Sequence, residues 1–118
     1  MFECLDAELT DEVAVIADPG DALFGANDLT IHSRTEFIGC AYYASPGFAV
    51  PGVTGIQMAQ LQWRPPVLVG DGAFQMTGLE TSTAARYGLT PALVILDNQG
   101  YGTQRPMLNG PFNDVRLW

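Results

Sequence analysis

The sequence predicts an α/β fold: a mainly parallel sheet with helices on both faces. Three observations carry that reading. An apolar run at Val67 to Val69 stops at Gly70-Asp71-Gly72, and a second at Ala92 to Leu96 stops at Asp97-Asn98-Gln99-Gly100. A helical stretch over residues 77–87 lies between them, so the order is strand, polar turn, helix, strand, polar turn, that of a βαβ unit. A further compact apolar run, Val13 to Ala17, ends in the same way at Asp18-Pro19-Gly20-Asp21, as a buried strand and its turn do.

Phe2, Leu5 and Leu9 have roughly helical spacing, which predicts a short amphipathic helix over 2–9. Residues 22–35 show no clear period. His32 has no Cys or second His nearby and reads as a surface residue rather than a ligand. Glu36 to Cys40 is a further short strand. Tyr42 to Gly47 then forms a small-residue turn ahead of a helix, whose stripe is Val50, Val53, Met58 and Leu61, with Ile56 off it. Pro51 falls near its start, where a missing N–H matters little. Gly47, Gly52 and Gly55 lower its propensity and point either to close approach of a backbone or ligand, or to tight helix packing. Arg64-Pro65-Pro66 ends the helix. Over 77–87, Leu79, Thr83 and Tyr87 share one stripe, and Gly88 is placed as a C-cap. Residues 101–115 hold two Pro and two Gly and read as a loop. Strands at 13–17, 36–40, 67–70 and 92–96 thus alternate with helices.

The 118 residues make one domain or a piece of one. Thirteen acidic residues against five Arg give a formal charge of -8, a surface that repels nucleic acid and anionic membranes. Such a protein still holds a diphosphate where a divalent cation and helix N-terminal amides neutralise it locally. Cys4 and Cys40 are too few for a disulfide framework and lack metal-ligand spacing. Buried or inert thiols in a reducing compartment are expected. No apolar run approaches the roughly eighteen residues of a membrane span, and the N-terminus lacks a basic leader region, so a cytoplasmic location is expected. Residues 1–10 read as a helix entered mid-fold, and Arg116-Leu117-Trp118 ends without a stop signal. Residues 1–118 are therefore expected to be part of a domain in a larger protein.

Asp71 and Asn98 stand 27 residues apart, the length that one turn, one helix and one strand require. If their strands are parallel neighbours, both turns meet where open α/β sheets bind ligands. The Asp71 carboxylate, the Asn98 amide oxygen and a backbone carbonyl near Gly100 are hard oxygen donors. On one Mg²⁺ they leave about three of its six positions for diphosphate oxygens and water. Gly70 and Gly72 let the backbone come close, and a helix beginning near Phe74 aims its N–H groups at the anion. Gly-Asp-Gly alone reads as an ordinary turn; the two turns at this spacing read as a site.

Gly70-Asp71-Gly72 with Asn98 resembles the signature of thiamine diphosphate-dependent enzymes. Residues 73–80 and 96–101, with Pro111-Phe112-Asn113-Asp114, are similar to the 2-oxo acid decarboxylase branch, which includes pyruvate, indolepyruvate and phenylpyruvate decarboxylases. The likeness spans residues 12–116 and implies the C-terminal, diphosphate-binding domain of such a lyase, with thiamine diphosphate and Mg²⁺ as cofactors. It implies Asp71, Asn98 and the Gly100 carbonyl as metal ligands. Cofactor contacts are implied at Gly20, Asp21 and Ala22, at Ala44, Ser45 and Pro46, at Gly70, Gly72, Ala73 and Phe74, and at Tyr101 and Gly102. Ala44 matches the residue whose carbonyl accepts from the aminopyrimidine. Pro46 stands where the family places a bulky aliphatic that props thiamine in its bent shape, and proline is shorter and stiffer. Gln104 stands at the catalytic position where the decarboxylases often carry Glu; Gln hydrogen-bonds but does not titrate.

The resemblance also implies partners: a pyrimidine-binding domain, often on a second subunit, that supplies the Glu activating the cofactor, and a homo-oligomer at full length. Nothing in the chain matches that domain, and the last strands of the family's sheet are expected beyond residue 118. The isolated chain is expected not to turn over a 2-oxo acid. Tyr42, Tyr43 and Phe74 lean toward an aromatic substrate. The alternatives are an acetolactate synthase-like carboligase and a non-catalytic regulatory or scaffold relative, which Pro46 and Gln104 favour. A Mg²⁺-dependent phosphoryl-transfer domain would need a Gly-Lys-Ser/Thr loop, and the chain has no Lys.

Overall fold

The structure, a computed structural model, describes residues 1–32 and 35–107. Its sheet holds four parallel strands, β1 Ala14–Ala17, β2 Glu36–Gly39, β3 Pro66–Gly70 and β4 Ala92–Leu96, in the order β2-β1-β3-β4. β1 pairs with β2 through Ala14↔Glu36 to Ala17↔Gly39 and with β3 through Ile16↔Val67 and Ala17↔Leu68. β3 pairs with β4 from Pro66↔Ala92 to Gly70↔Leu96. The strand order reverses between β1 and β3, the switch point at which such sheets open a crevice.

Alternation along the two central strands makes two cores. On one face, Val15, Ala17 and Leu68 pack with Leu9, Ala22, Ala26 and Leu29. These come from helix α1 (Phe2–Glu8), helix α2 (Asp21–Ala26) and the residues just beyond each. On the other, Ile16, Val67 and Val69 meet Ala49, Val50, Val53 and Ala73 from helices α3 (Ala49–Ala59) and α4 (Asp71–Thr77). Each large aliphatic so buried contributes about 1.5–3 kcal/mol, and helices on both faces bury the parallel strands. α5 (Glu80–Arg86) and a 3₁₀ turn at Arg105–Met107 complete the described elements. Pro111 to Asp114 and Arg116 to Trp118 lie outside the described residues.

Several local expectations need correction. α2 sits in the stretch that showed no period, because six residues are too few to display one. On α3 the buried side is Ala49, Val50, Val53 and Gln57, while Met58 is exposed and Leu61, also exposed, falls beyond the helix. Ile56, read as off the stripe, packs against the core. Gln57 takes the inner position because its Nε2 donates to the Trp63 carbonyl (2.7 Å) and its Oε1 accepts from the Thr90 amide (2.9 Å). Both ends of a buried amide are then satisfied.

The helix expected over 77–87, with anion-facing amides near Phe74, is instead two: α4 starts at Asp71, and α5 follows a break at Gly78-Leu79. Gly78 N–H bonds the Phe74 carbonyl at 2.6 Å, and a Cβ on Gly78 would lie 2.7 Å from that oxygen. Thr81 Oγ1 and Ser82 Oγ then cap the Gly78 and Leu79 carbonyls. Leu79 and Tyr87 are exposed and Ala84 is the buried residue of α5. Gly88 does end the helix, at φ 68°, with Leu89 N–H on the Ala84 carbonyl and Gly88 N–H on that of Ala85, a Schellman motif.

Cys4 is exposed and Cys40 half-buried, and both are free thiols, so of the expected buried or inert thiols neither is the fully buried kind. Among the described residues no helix is long and apolar enough to cross a membrane.

Asp18, read from sequence as part of a turn, is wholly buried at the end of β1. Its N–H extends the ladder to the Leu68 carbonyl (2.8 Å), while its carboxylate accepts from Gly47 N–H (2.6 Å) and Ala49 N–H (2.8 Å). The loop between β2 and α3 is thereby tied to the sheet. Burial pushes the Asp18 carboxyl above its ordinary 3.8, against the lowering effect of the Ala49, Gly47 and Phe48 N–H groups.

Two predictions follow from this packing. A Cβ on Gly52 would lie 2.6 Å from Ile16 Cδ1, whereas one on Gly55 meets nothing within 4 Å. Gly52→Ala should therefore destabilise by about 1–3 kcal/mol through overpacking. Gly55→Ala should stabilise by about 0.5–1 kcal/mol through helix propensity. Urea unfolding reads both, and equal midpoints for the pair would contradict the packing. The second concerns pH. Folded Asp18 holds its proton more tightly than unfolded Asp18, so its contribution is full below the unfolded 3.8 and declines as pH rises through the raised folded value. The stability of the wild type minus that of Asp18→Asn should fall over that window.

Candidate functional site

The carboxyl ends of β1, β3 and β4 open onto one cavity of about 360 Å³. After β1, the chain delivers Pro19, Gly20, Asp21 and Ala22 to its wall. After β3 come Gly70, Asp71, Gly72 and Ala73; after β4 come Asn98, Gly100, Tyr101, Gly102, Thr103 and Gln104. The loop tied down by Asp18 adds Ala44 and Pro46.

Parallel pairing of Gly70 with Leu96 brings the two polar turns together. Buried Asp71 accepts the Gly100 N–H on Oδ2 at 2.8 Å, while its Oδ1, equally buried, has no hydrogen-bond partner. Gly100 reaches this bond with φ 140°, after Gln99 at φ 64°, so glycine suits that turn. The Asn98 amide nitrogen donates to Asp21 Oδ2 (2.9 Å), which leaves the amide oxygen as its free acceptor end. The Gly100 carbonyl accepts from Gly102 N–H (3.0 Å) and keeps a second lone pair. Gly102 must be small: a Cβ there would lie 2.5 Å from Asn98 Nδ2 and 3.0 Å from Asp21 Oδ2. Arg105 Nη2 clamps this turn from behind, donating to the carbonyls of Asn98 (3.0 Å) and Gln99 (2.7 Å).

Among the described residues no group of three or more His, Cys, Asp or Glu is placed to hold a metal. A cation here would have to draw on amide and carbonyl oxygens beside a single carboxylate, a set that suits a hard ion.

Of the site residues expected from sequence, Ser45 and Phe74 do not line the cavity, and the others do. Phe74 packs instead against the Ile16–Val50–Val67 core. Tyr42 and Tyr43 stack edge-on at 5.0 Å, both largely exposed and away from the cavity. The three aromatics that leaned toward an aromatic substrate therefore stand outside it. Sequence reasoning missed Pro19, Phe24, Leu96, Thr103 and Met107 on the wall, and Arg105 behind it. Phe24 and Met107 are apolar yet exposed, and no sequence pattern marks such residues. Arg105 carried a weak signal as the first base after a Gly-rich turn.

Removing the clamp should loosen the turn without unfolding the domain. Arg105→Ala is expected to speed hydrogen exchange at the Gly100 amide while costing about 1 kcal/mol of global stability. Unchanged exchange at Gly100 would mean that the Asp71 bond alone fixes the turn.

Comparison with known proteins places this geometry. Residues 18–116 match the family profile of the thiamine pyrophosphate enzyme C-terminal TPP binding domain. An alpha-keto-acid decarboxylase of Mycobacterium bovis is 35% identical over 112 residues, covering 93% of this chain and 20% of the relative. One from Mycobacterium avium is 36% identical over the same length and coverage. One from Mycobacterium leprae is 32% identical over 120 residues, 100% of this chain and 21% of the relative. The chain thus spans about a fifth of the length of the relatives it matches. A parallel sheet with its cavity at the switch point, the paired Asp71 and Asn98 turns, and the profile match agree: the chain belongs to the thiamine pyrophosphate enzymes, as their C-terminal TPP-binding domain.

Proposed function

We propose that the cavity binds the diphosphate end of thiamine diphosphate through Mg²⁺, as the cofactor half of a protein that decarboxylates a 2-oxo acid. The observation that carries the metal is Asp71 Oδ1, buried and without a hydrogen-bond partner. A carboxylate oxygen left so is costly unless a ligand completes it. Asp71, the Asn98 amide oxygen and the Gly100 carbonyl would hold Mg²⁺, and phosphate and water would fill its remaining positions. The Asp21–Asn98 hydrogen bond fixes which end of the amide is offered, and Arg105 holds the turn that presents the carbonyl.

When bound, thiamine diphosphate supplies a carbon nucleophile and an electron sink for loss of CO₂. The cavity wall is mostly backbone and small side chains at Gly20, Ala22, Gly72, Ala73 and Gly102, which lets a cofactor lie close to the chain. Ala44 and Pro46 would flank the thiamine end, with Pro46 a shorter prop than a branched aliphatic. Asp21 and Asp71 are the carboxylates on the described wall, and the proposed structure uses both for the metal turn. Gln104 on the same wall can orient a substrate but cannot move a proton. With both described wall carboxylates so engaged, a further carboxylate for proton transfer would come from a pyrimidine-binding domain or second subunit. The isolated chain should be inactive, and a homo-oligomer in the cytoplasm is the expected setting of the whole protein.

Calorimetric titration of the full-length protein tests the reading: thiamine diphosphate should bind in Mg²⁺ and not in excess chelator. Asp71→Asn keeps an acceptor for the Gly100 amide but removes the charge, and should weaken metal-dependent binding by roughly 10–100-fold. Metal-independent binding, or wild-type affinity in Asp71→Asn, would refute the assignment. CO₂ release from pyruvate and phenylpyruvate then distinguishes small from aromatic substrates, and acetolactate formation would indicate a carboligase.

The non-titrating Gln104 favours a second reading, a regulatory or scaffold relative that keeps the cofactor site. Gln104→Glu should raise turnover roughly a hundredfold if the site is otherwise complete, the low end of what a general acid–base contributes. No gain over the wild type would favour the non-catalytic role.

A further inference from the structure

We propose that Asp18 is the positioning residue for the cavity wall formed by Ala44 and Pro46. The inference rests on the cofactor reading above and concerns a side chain that does not itself line the cavity. Ala44 and Pro46 belong to a loop outside the sheet, which turns through φ 49° at Ala44 and φ 84° at Gly47. A loop of that shape has no ladder to set its height above the strands.

Asp18 supplies the missing reference. It is held in the sheet by its own N–H on the Leu68 carbonyl, and its side chain is fully buried. Its two carboxylate oxygens accept from Gly47 N–H and Ala49 N–H, one each, at 2.6 and 2.8 Å. Thr77 Oγ1 on α4 closes the clamp by donating to the Gly47 carbonyl at 2.9 Å. Gly47 cannot slide within it, since a Cβ there would already stand 2.9 Å from Thr77 Cγ2. Rigidity therefore passes from β1 and β3 through Asp18 to Gly47, and from there to Pro46 and Ala44. A carboxylate matches two N–H donors; an amide matches one and turns its NH₂ against the other. Leaving a buried N–H unmatched drives the loop away from the sheet.

The test uses the full-length protein and four forms: wild type, Asp18→Asn, Thr77→Val, and Asp6→Asn as control. Asp6 also accepts twice, from Thr30 N–H and Thr30 Oγ1, but on α1, away from the cavity. Calorimetry with thiamine diphosphate and Mg²⁺ should show binding roughly tenfold or more weaker in Asp18→Asn, a smaller loss in Thr77→Val, and none in Asp6→Asn. Without cofactor, hydrogen exchange at Gly47 and Ala49 should quicken in Asp18→Asn and stay unchanged in Asp6→Asn. Wild-type affinity in folded Asp18→Asn overturns the inference while leaving the cofactor reading standing. If Asp18→Asn does not fold, wild-type affinity in Thr77→Val overturns it instead. A wild type that binds no cofactor removes the parent reading and this inference with it.

Discussion

The structure depends on the parallel pairing of β3 with β4. With Gly70 opposite Leu96, both strands end at the same level and their polar turns emerge side by side. The Gly100 N–H then reaches the Asp71 carboxylate. Slipping that register by one residue would turn the β3 side chains to the opposite faces and carry Asp71 away from the turn it supports. Core and site are therefore specified by one set of backbone bonds.

Small residues gather where other side chains of the domain press against the backbone. Gly102 leaves room for the Asn98 amide, Gly47 for Thr77, and Gly52 for the tip of Ile16. The glycines of the α3 region thus serve packing between elements: side chains of the domain itself fill the space at Gly47 and Gly52. Gly55 faces nothing within 4 Å, and the structure gives no reason for it.

The parts legible in the sequence were those written in contiguous residues. Apolar runs ending at Gly70-Asp71-Gly72 and Asp97-Asn98-Gln99-Gly100 exposed the βαβ unit, and with it the meeting of Asp71 and Asn98. Gly88 was legible because a Schellman turn leaves a fixed local mark. What stayed hidden depends on partners distant in sequence. Gln57 is buried because Trp63 and Thr90 satisfy it, and no helical period announces that. Asp18 looked like any turn aspartate until its acceptors met Gly47 and Ala49, 29 and 31 residues on. The break between α4 and α5 hides because Gly78 and Leu79 keep right-handed helical backbone angles, so a stripe of apolar spacings reads straight through it. Ser45 and Phe74, cofactor contacts implied by the resemblance, do not reach the cavity wall.

The hydrogen bond from Asn98 to Asp21 spans 77 residues, about the whole length of the sheet-forming chain. It therefore has a place in time as well as in space. Contacts between distant segments form late, because the loop they close must first lose its entropy. On a ribosome, β1, β2 and β3 can emerge and meet before Asn98 has been made. The polar mouth of the cavity is then a last addition to a sheet already paired. A chain interrupted before β4 holds the residues of three strands and of the Asp18 clamp, yet lacks the Asn98–Gly100 turn that faces Asp71.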